Sequence, residues 1–306
     1  MTLNSFSQSR LGVFIGGGTT WYYGDMNDRL LTHPKLFDSY FNGGLLYRLS
    51  PHFDIVANYI NGEIVGADSL AIQEFNIKRD LHFQSKIWEV SLRADYKPFI
   101  RQTGKKIRLF TPYVFAGIGY FHHNPQAEKN GQLIDLQPLG TEGQYIDGGN
   151  YPKPYKLYQL SVPLGIGIET KLSRAFSLRF EISNHFTFTD YLDDVSGDYA
   201  DSAKLSMTPN GALAVDMASN LDRNYPDEGF GRGNPKNNDT YMTVGFSILY
   251  TPVYEGKGGG GNGSNRNAHG GKSKKKKKKL EERKKNKGKR KRREREEKEK
   301  RKRRER

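Results

Sequence analysis

Apolar and polar side chains alternate residue by residue over eight stretches of this chain. The clearest stretch covers residues 159–169, where every second side chain from Leu160 to Ile168 is apolar and the intervening ones are mostly small or polar. A strand with this period of two has one apolar and one polar face. Residues 88–97 and 176–188 repeat the pattern with charges on the polar face. The alternation therefore predicts strands whose two faces meet different surroundings.

Five weaker segments bring the number of predicted strands to eight. They cover about residues 11–23, 40–49, 53–63, 110–121 and 241–250, each near the roughly 9 to 11 residues of a tilted transmembrane strand. Eight strands make the smallest outer-membrane barrels, whose interior is filled by side chains. The sequence predicts an all-β fold, an eight-stranded antiparallel transmembrane β-barrel of the outer-membrane type over residues 9–254. A conducting pore is not expected.

A soluble barrel would show the same alternation with its apolar face turned inward, but the lengths of the links favour a membrane barrel. Short links follow the second, fourth and sixth strands, namely Ser50 with Pro51, Arg101 to Lys106, and Ser173 with Arg174. The other links are long, at about residues 24–39, 65–81, 122–154 and 190–239. All long loops thus meet at one end, as in barrels with long outer loops and short periplasmic turns. These loops are long enough to fold into a cap, although their polar composition is equally compatible with disorder.

Aromatic residues near the predicted strand ends are expected to form the two interfacial girdles of the barrel. They are Trp21, Tyr22, Tyr23, Tyr47, Tyr96, Tyr120, Phe121, Phe188 and Tyr250. The chain has no cysteine and no run of about 18 apolar residues, so a helical membrane span is not expected. Residues 1–8 resemble the end of a secretory signal peptide, and a disordered N-terminus fits them equally well.

Positive charge is concentrated in a C-terminal tail. Residues 255–306, which begin with a Gly-rich linker at 256–263, hold 26 of the 49 Lys and Arg but 8 of the 34 acidic residues. The tail has too few apolar residues for a core, so it is predicted to be disordered or a solvated helix. An even number of strands places it in the periplasm, where it is expected to bind anionic lipid or other polyanions. A soluble protein that binds polyanions through this tail is the alternative from another class, but no specific nucleic-acid motif supports it.

Charged residues on the polar faces of three strands are expected to line the lumen. They are Glu89, Arg93, Asp95, Glu169, Arg179 and Glu181. Charges removed from water persist as hydrogen-bonded pairs, so the sequence predicts a lumenal ion-pair network that plugs the barrel.

A second group of acids lies in the last long loop. It comprises Asp190, Asp193, Asp194 and Asp198. Several carboxylates in one loop are able to hold calcium, but this spacing matches no EF-hand loop, so solvated loop acids are favoured. The sequence contains no catalytic motif, and neither enzymatic activity nor a cofactor is expected.

Five loop motifs, in order, resemble those of a known family. They are GGG at 16–18 with YGDMN at 23–27, YFHHNPQA at 120–127, LQPLGTEGQ at 136–144, TDYLDDVS at 189–196 and RGNPKNND at 232–239. Over about residues 9–252 the chain resembles the Bacteroidota outer-membrane barrel family that contains PorG, although the basic tail departs from it. The resemblance implies an integral outer-membrane protein and, for the PorG branch, a component of type IX secretion and gliding that anchors a periplasmic ring of a lipoprotein and its partner. Because a fold does not fix a function, an envelope scaffold or surface receptor is the alternative.

Overall fold

Eight antiparallel strands close into a barrel in the computed structural model, which describes residues 6–27, 33–99, 110–220 and 225–255. The strands are β1 (Leu11–Tyr23), β2 (Asp38–Arg48), β3 (Phe53–Ala67), β4 (His82–Tyr96), β5 (Phe110–His122), β6 (Tyr158–Lys171), β7 (Phe176–Thr187) and β8 (Thr240–Tyr250). Each strand pairs with the next, and β8 pairs with β1, so the cylinder is closed. The predicted eight-stranded antiparallel barrel is confirmed.

The barrel has an apolar outer surface and a largely polar interior. Ile15 is 71% exposed and Ile118 is 69% exposed in the middle of β1 and β5, and Ile166 is 57% exposed in β6. Their sequence neighbours on the other face point into the barrel, as the period of two requires. A soluble barrel would bury such residues, so the surface is suited to a lipid environment.

The two described short turns have the same local sequence, Leu-Ser-x-x-Phe, at residues 49–53 and 172–176. In the first, the Ser50 hydroxyl accepts a hydrogen bond from the amide of Phe53 at 3.1 Å. In the second, Ser173 accepts one from Phe176 at the same distance. These bonds from a backbone amide to the Ser hydroxyl close tight turns, so the shared Ser accounts for the shared geometry. The predicted turn from Arg101 to Lys106 lies outside the described residues.

The described parts of the long loops carry short elements of their own. They are 3₁₀ turns at Pro34–Leu36 and Asp68–Leu70, α1 (Glu74–Arg79), a hairpin of Pro125–Lys129 with Gln132–Asp135, α2 (Ser202–Ser206) and α3 (Gly211–Ala218). Loop residues such as Leu192, Leu205 and Met217 pack with Phe83 and Phe121 from the barrel wall in one apolar core. The described parts of the loops therefore form a packed outer cap. None of the helices in these ranges is long and apolar enough to cross a membrane.

Strands β3 and β4 are longer than the sequence predicts, since they pair as far as Ala67 and His82. Between Glu89 and the loop end of β4, at His82, the inward face of the strand no longer carries charges, and Phe83 and Ile87 are buried in the core of the cap. At this loop end of the barrel the apolar side chains therefore point inward. The membrane pattern used for the prediction therefore ends before the strands do.

Two of the predicted girdle aromatics are assigned wrongly. Tyr22 and Phe121 point inward and are completely buried in the core of the cap. Trp21 points outward but is covered by Phe37, with ring centroids 5.4 Å apart. The other six are exposed, three near the loop end and three near the turn end, namely Tyr23, Tyr120 and Phe188, and Tyr47, Tyr96 and Tyr250.

The two ends of the described chain pair with each other, next to the start of β1 and the end of β8 in the sequence. Phe6–Gln8 pairs antiparallel with Val253–Glu255 in a two-stranded sheet. The first five residues of the predicted signal-peptide remnant and residues 256–306 of the predicted tail lie outside the described residues.

Candidate functional site

Four of the six predicted lumenal charges form one cluster. Arg93 Nη2 lies 2.5 Å from Glu181 Oε1, and Arg179 Nη2 lies 3.0 Å from the same oxygen. Both arginines also pair with Asp95, Arg93 Nε at 3.2 Å from Oδ1. The Tyr113 hydroxyl donates to Glu181 Oε1 at 2.6 Å and accepts from Arg179 Nε at 2.9 Å. Two cations and two anions are thereby neutralised inside the barrel.

Glu169 belongs to a separate cluster nearer the turn end. Lys97 Nζ lies 2.5 Å from Asp54 Oδ2 and 2.8 Å from Glu169 Oε2. Arg48 Nε lies 3.4 Å from Asp54 Oδ1. The sequence prediction omits Arg48, Asp54 and Lys97, although all three lie on the inward face at strand ends. Each of the three lies two residues from another inward-facing residue, and this spacing was the signal that could have identified them.

Glu89 has no arginine partner in the described structure. Its Oε2 accepts hydrogen bonds from Ser161 and Tyr241 at 2.6 Å, and His185 Nδ1 lies 3.0 Å away. The six predicted residues thus divide into three sets of side-chain contacts, although Glu169 is the cross-strand partner of Arg179. They are brought into the lumen together, but not into a single network.

Glycines in the barrel wall make room for large inward rings. A Cβ atom on Gly167 would overlap the ring of Tyr113, and one on Gly165 would overlap Phe115. The Arg93 guanidinium lies over the Phe115 ring, 4.0 Å from its centroid. Rings and paired charges together fill this section of the lumen, as expected for eight strands.

The predicted acidic loop is largely buried, so the expectation of solvated acids is wrong for three of its four members. Asp193 accepts from the Tyr22 hydroxyl at 2.5 Å and from the amide of Val195 at 2.9 Å. Asp194 accepts from Thr141 at 2.6 Å and from Tyr155 at 2.7 Å. Sequence reasoning missed these burials because three of the partners, Tyr22, Thr141 and Tyr155, come from other loops and strands.

The remaining two acids of that loop differ from each other. Both carboxylate oxygens of Asp190 are buried, and neither has a hydrogen-bond partner among the described residues. Asp198, in contrast, is exposed and forms a backbone bridge with Gly231. In the ranges that the structure covers, no three His, Asp or Glu side chains are placed to hold a metal ion.

Buried charges hold the cap together. Arg232 Nη1 lies 3.0 Å from Glu142 Oε1, and its Nη2 lies 3.6 Å from Asp194 Oδ2. Burial raises the pKa of Asp194 to about 6, although Arg232 offsets part of the effect. Burial raises the pKa of Asp190 to about 8. Asp193 and Asp239 are buried close together, and burial raises the pKa of both.

Solved structures of outer-membrane barrels are similar to this chain. The N-terminal β-barrel domain of OprF from Pseudomonas aeruginosa shares 11% identity, covers 80% of this chain and 100% of its own, and has a TM-score of 0.33. Neisserial surface protein A shares 8%, with coverages of 80% and 98% and a TM-score of 0.37. Ail, the attachment invasion locus protein of Yersinia pestis, shares 9%, with coverages of 80% and 100% and a TM-score of 0.37. Such low values give no basis for transferring a ligand or role.

Sequence comparison identifies the family. Curated protein sequences give no significant match. The family profile DUF6089, described as a domain of unknown function, matches residues 2–216. Since that match spans more than half of the sequence, this chain belongs to the DUF6089 family.

Proposed function

We propose that this chain is a non-enzymatic barrel of the cell outer membrane that anchors other envelope proteins. The observation that carries the proposal is the combination of an exposed apolar wall with a lumen filled by paired charges and rings. A filled lumen does not suit transport, and a lipid-covered wall leaves the two ends for interactions with proteins or ligands.

For the anchoring role, we propose the PorG-like function in type IX secretion and gliding. The loop motifs that resemble the PorG family support it, among them residues 136–144 and 232–239. Its partners would be a periplasmic ring lipoprotein and the partner of that lipoprotein. They would meet the turns at residues 49–52 and 172–175. The basic tail would lie on the same periplasmic side, where it would bind anionic lipid or other polyanions.

Membrane fractionation tests the location. We expect the full chain, expressed with a signal peptide, in the outer-membrane fraction, with different migration when boiled and unboiled. A soluble protein without this shift would contradict the membrane placement and would favour polyanion binding by the tail.

Partner capture from periplasmic extracts tests the anchoring role. The wild-type barrel is expected to recover the ring lipoprotein and its partner. Arg174→Glu, in an exposed short turn, should weaken recovery, whereas Lys153→Glu, in an exposed outer loop, should leave it unchanged. Equal recovery by both variants would show that the turns are not the docking surface. Recovery of no periplasmic protein would contradict anchoring.

A surface receptor is the second candidate function. The packed outer cap favours it, since ordered loops are able to present a preformed binding surface. Binding of surface ligands without capture of ring proteins would support this candidate over the anchor.

A further inference from the structure

A cavity of about 320 Å³ lies within the outer cap. Its wall combines the end of β1, helix α1 and the segment that leads into β8, and includes Tyr23, Asp25, Phe75, Asn234, Asn237 and Asn238. This volume lies at the lower end of the range of small-molecule sites. The cavity is separate from the plugged lumen.

The wall of the cavity is fixed by buried contacts. Asp25 accepts through its carbonyl oxygen from Asn76 Nδ2 at 3.0 Å and from Arg79 Nη2 at 3.1 Å. Asp25 Oδ2 accepts from the amide of Asn234 at 2.9 Å, and a side chain at Gly233 would overlap this oxygen. Helix α1 and the segment that leads into β8 therefore both bind Asp25, and the site is formed before any ligand arrives.

The two cations beside the cavity are already neutralised. Arg79 and Arg232 are each 1% exposed. Arg79 makes two bonds to Asp68, at 2.7 and 2.6 Å, and Arg232 pairs with Glu142 at 3.0 Å. The partly exposed Asp25 carboxylate is left facing the cavity, so an anionic ligand would be repelled.

The accessible groups suit a ligand with many hydroxyls. Asn234, Asn237 and Asn238 are exposed, and an amide side chain carries both donors and an acceptor. Asn234 Oδ1 already accepts from the amide of Lys236 at 3.4 Å. Tyr23 and Phe75 are 42% and 37% exposed. The Arg79 guanidinium lies over one face of the Phe75 ring, 5.7 Å from its centroid, so an apolar C–H surface would pack on the other face. A sugar ring combines these two features, since hydroxyls project from its edge and C–H groups cover its faces.

We propose that this cavity binds one uncharged sugar unit, with Asp25 and the asparagines contacting its hydroxyls and Phe75 packing against its apolar face. The inference goes beyond the anchoring role and does not depend on it. It requires the folded barrel and its cap. The shared chemistry is a neutral pyranose, presented either as a free saccharide or as part of a longer glycan.

Saturation-transfer NMR and titration on the full chain would test the proposal, in a detergent without a sugar head group. The probes are the methyl glycosides of glucose, galactose, mannose and N-acetylglucosamine and their disaccharides, with glucose 6-sulfate and a Ser-Gly-Ser tripeptide for comparison. At least one neutral sugar is expected to bind with a Kd below about 10 mM, a weak affinity of about 3 kcal/mol. Tighter binding of disaccharides would indicate a glycan, and equal binding a free sugar.

Matched variants locate the site. Phe75→Ala and Asn238→Ala should each weaken binding about tenfold. The controls Met207→Ala and Asn150→Ala, exposed elsewhere in the loops, should stay within about twofold of the wild type. Heat-modifiability shows that each variant is folded. The proposal is wrong if no neutral sugar binds, if the sulfated sugar or the peptide binds more tightly, or if both cavity variants bind like the wild type.

Discussion

At the scale of single residues, Arg179 is one of the two arginines that hold the central lumenal carboxylates. It is completely buried and pairs with both Asp95 and Glu181. Arg179→Leu should lower the free energy of unfolding by about 3 to 5 kcal/mol, because two buried carboxylates lose a partner. Arg174→Leu, in the exposed turn, should change it by less than about 1 kcal/mol. Urea unfolding in lipid vesicles, followed by tryptophan fluorescence, measures both. Equal stability of the two variants would count against the cluster as a stabilising feature.

A second prediction at this scale concerns pH and Asp190. Burial raises the pKa of this loop carboxyl to about 8, and Ser196 offsets only part of the effect. The folded cap therefore binds a proton that the unfolded chain releases near pH 4, so the cap loses stability as pH rises from about 4 to 8. Hydrogen exchange of residues 188–199 should be slower at pH 5.5 than at pH 8.5 after correction for the intrinsic rate. Asp190→Asn should reduce this pH difference, whereas Asp198→Asn, at an exposed position, should not. An unchanged difference in the first variant would refute the assignment to Asp190.

At the scale of elements, the strands were largely predictable because their signal is local. The period of two fixes which side chains face lipid, so β1 and the turn ends of β3 and β5 match the predicted boundaries. The cap was not predictable in this way. The buried Asp193 accepts a hydrogen bond from Tyr22, 171 residues away in the sequence, and no sequence period reports such a contact. The lumenal clusters fall between these cases. The period of two shows which side chains of a strand face the lumen, but their partners depend on the register in which neighbouring strands pair.

Lysine substitutions along the lipid-facing side of β6 test where the membrane lies on the barrel. Ile166 lies in the middle of the strand and is exposed on the apolar face. Ile166→Lys should destabilise the barrel in vesicles by about 2 to 4 kcal/mol, because it places a charge near the centre of the bilayer. Leu172→Lys, at an exposed position in the turn beyond the strand, should cost about 1 kcal/mol or less. The free energy of unfolding in vesicles gives both values. A larger effect at Leu172 than at Ile166 would place the membrane at a different level of the barrel.

At the scale of the whole molecule, a plugged lumen lies beneath a packed cap. Arg93, Arg179 and their carboxylate partners occupy the middle of the barrel, and the apolar core that includes Tyr22, Phe121 and Tyr241 lies at the outer end. Because side chains fill the interior of an eight-stranded barrel, we expect no stable ion conductance in planar bilayers. A sixteen-stranded porin, refolded and inserted in the same way, serves as the positive control. Reproducible conductance steps from the refolded chain, absent from a boiled sample, would contradict the plug and make transport the function to test.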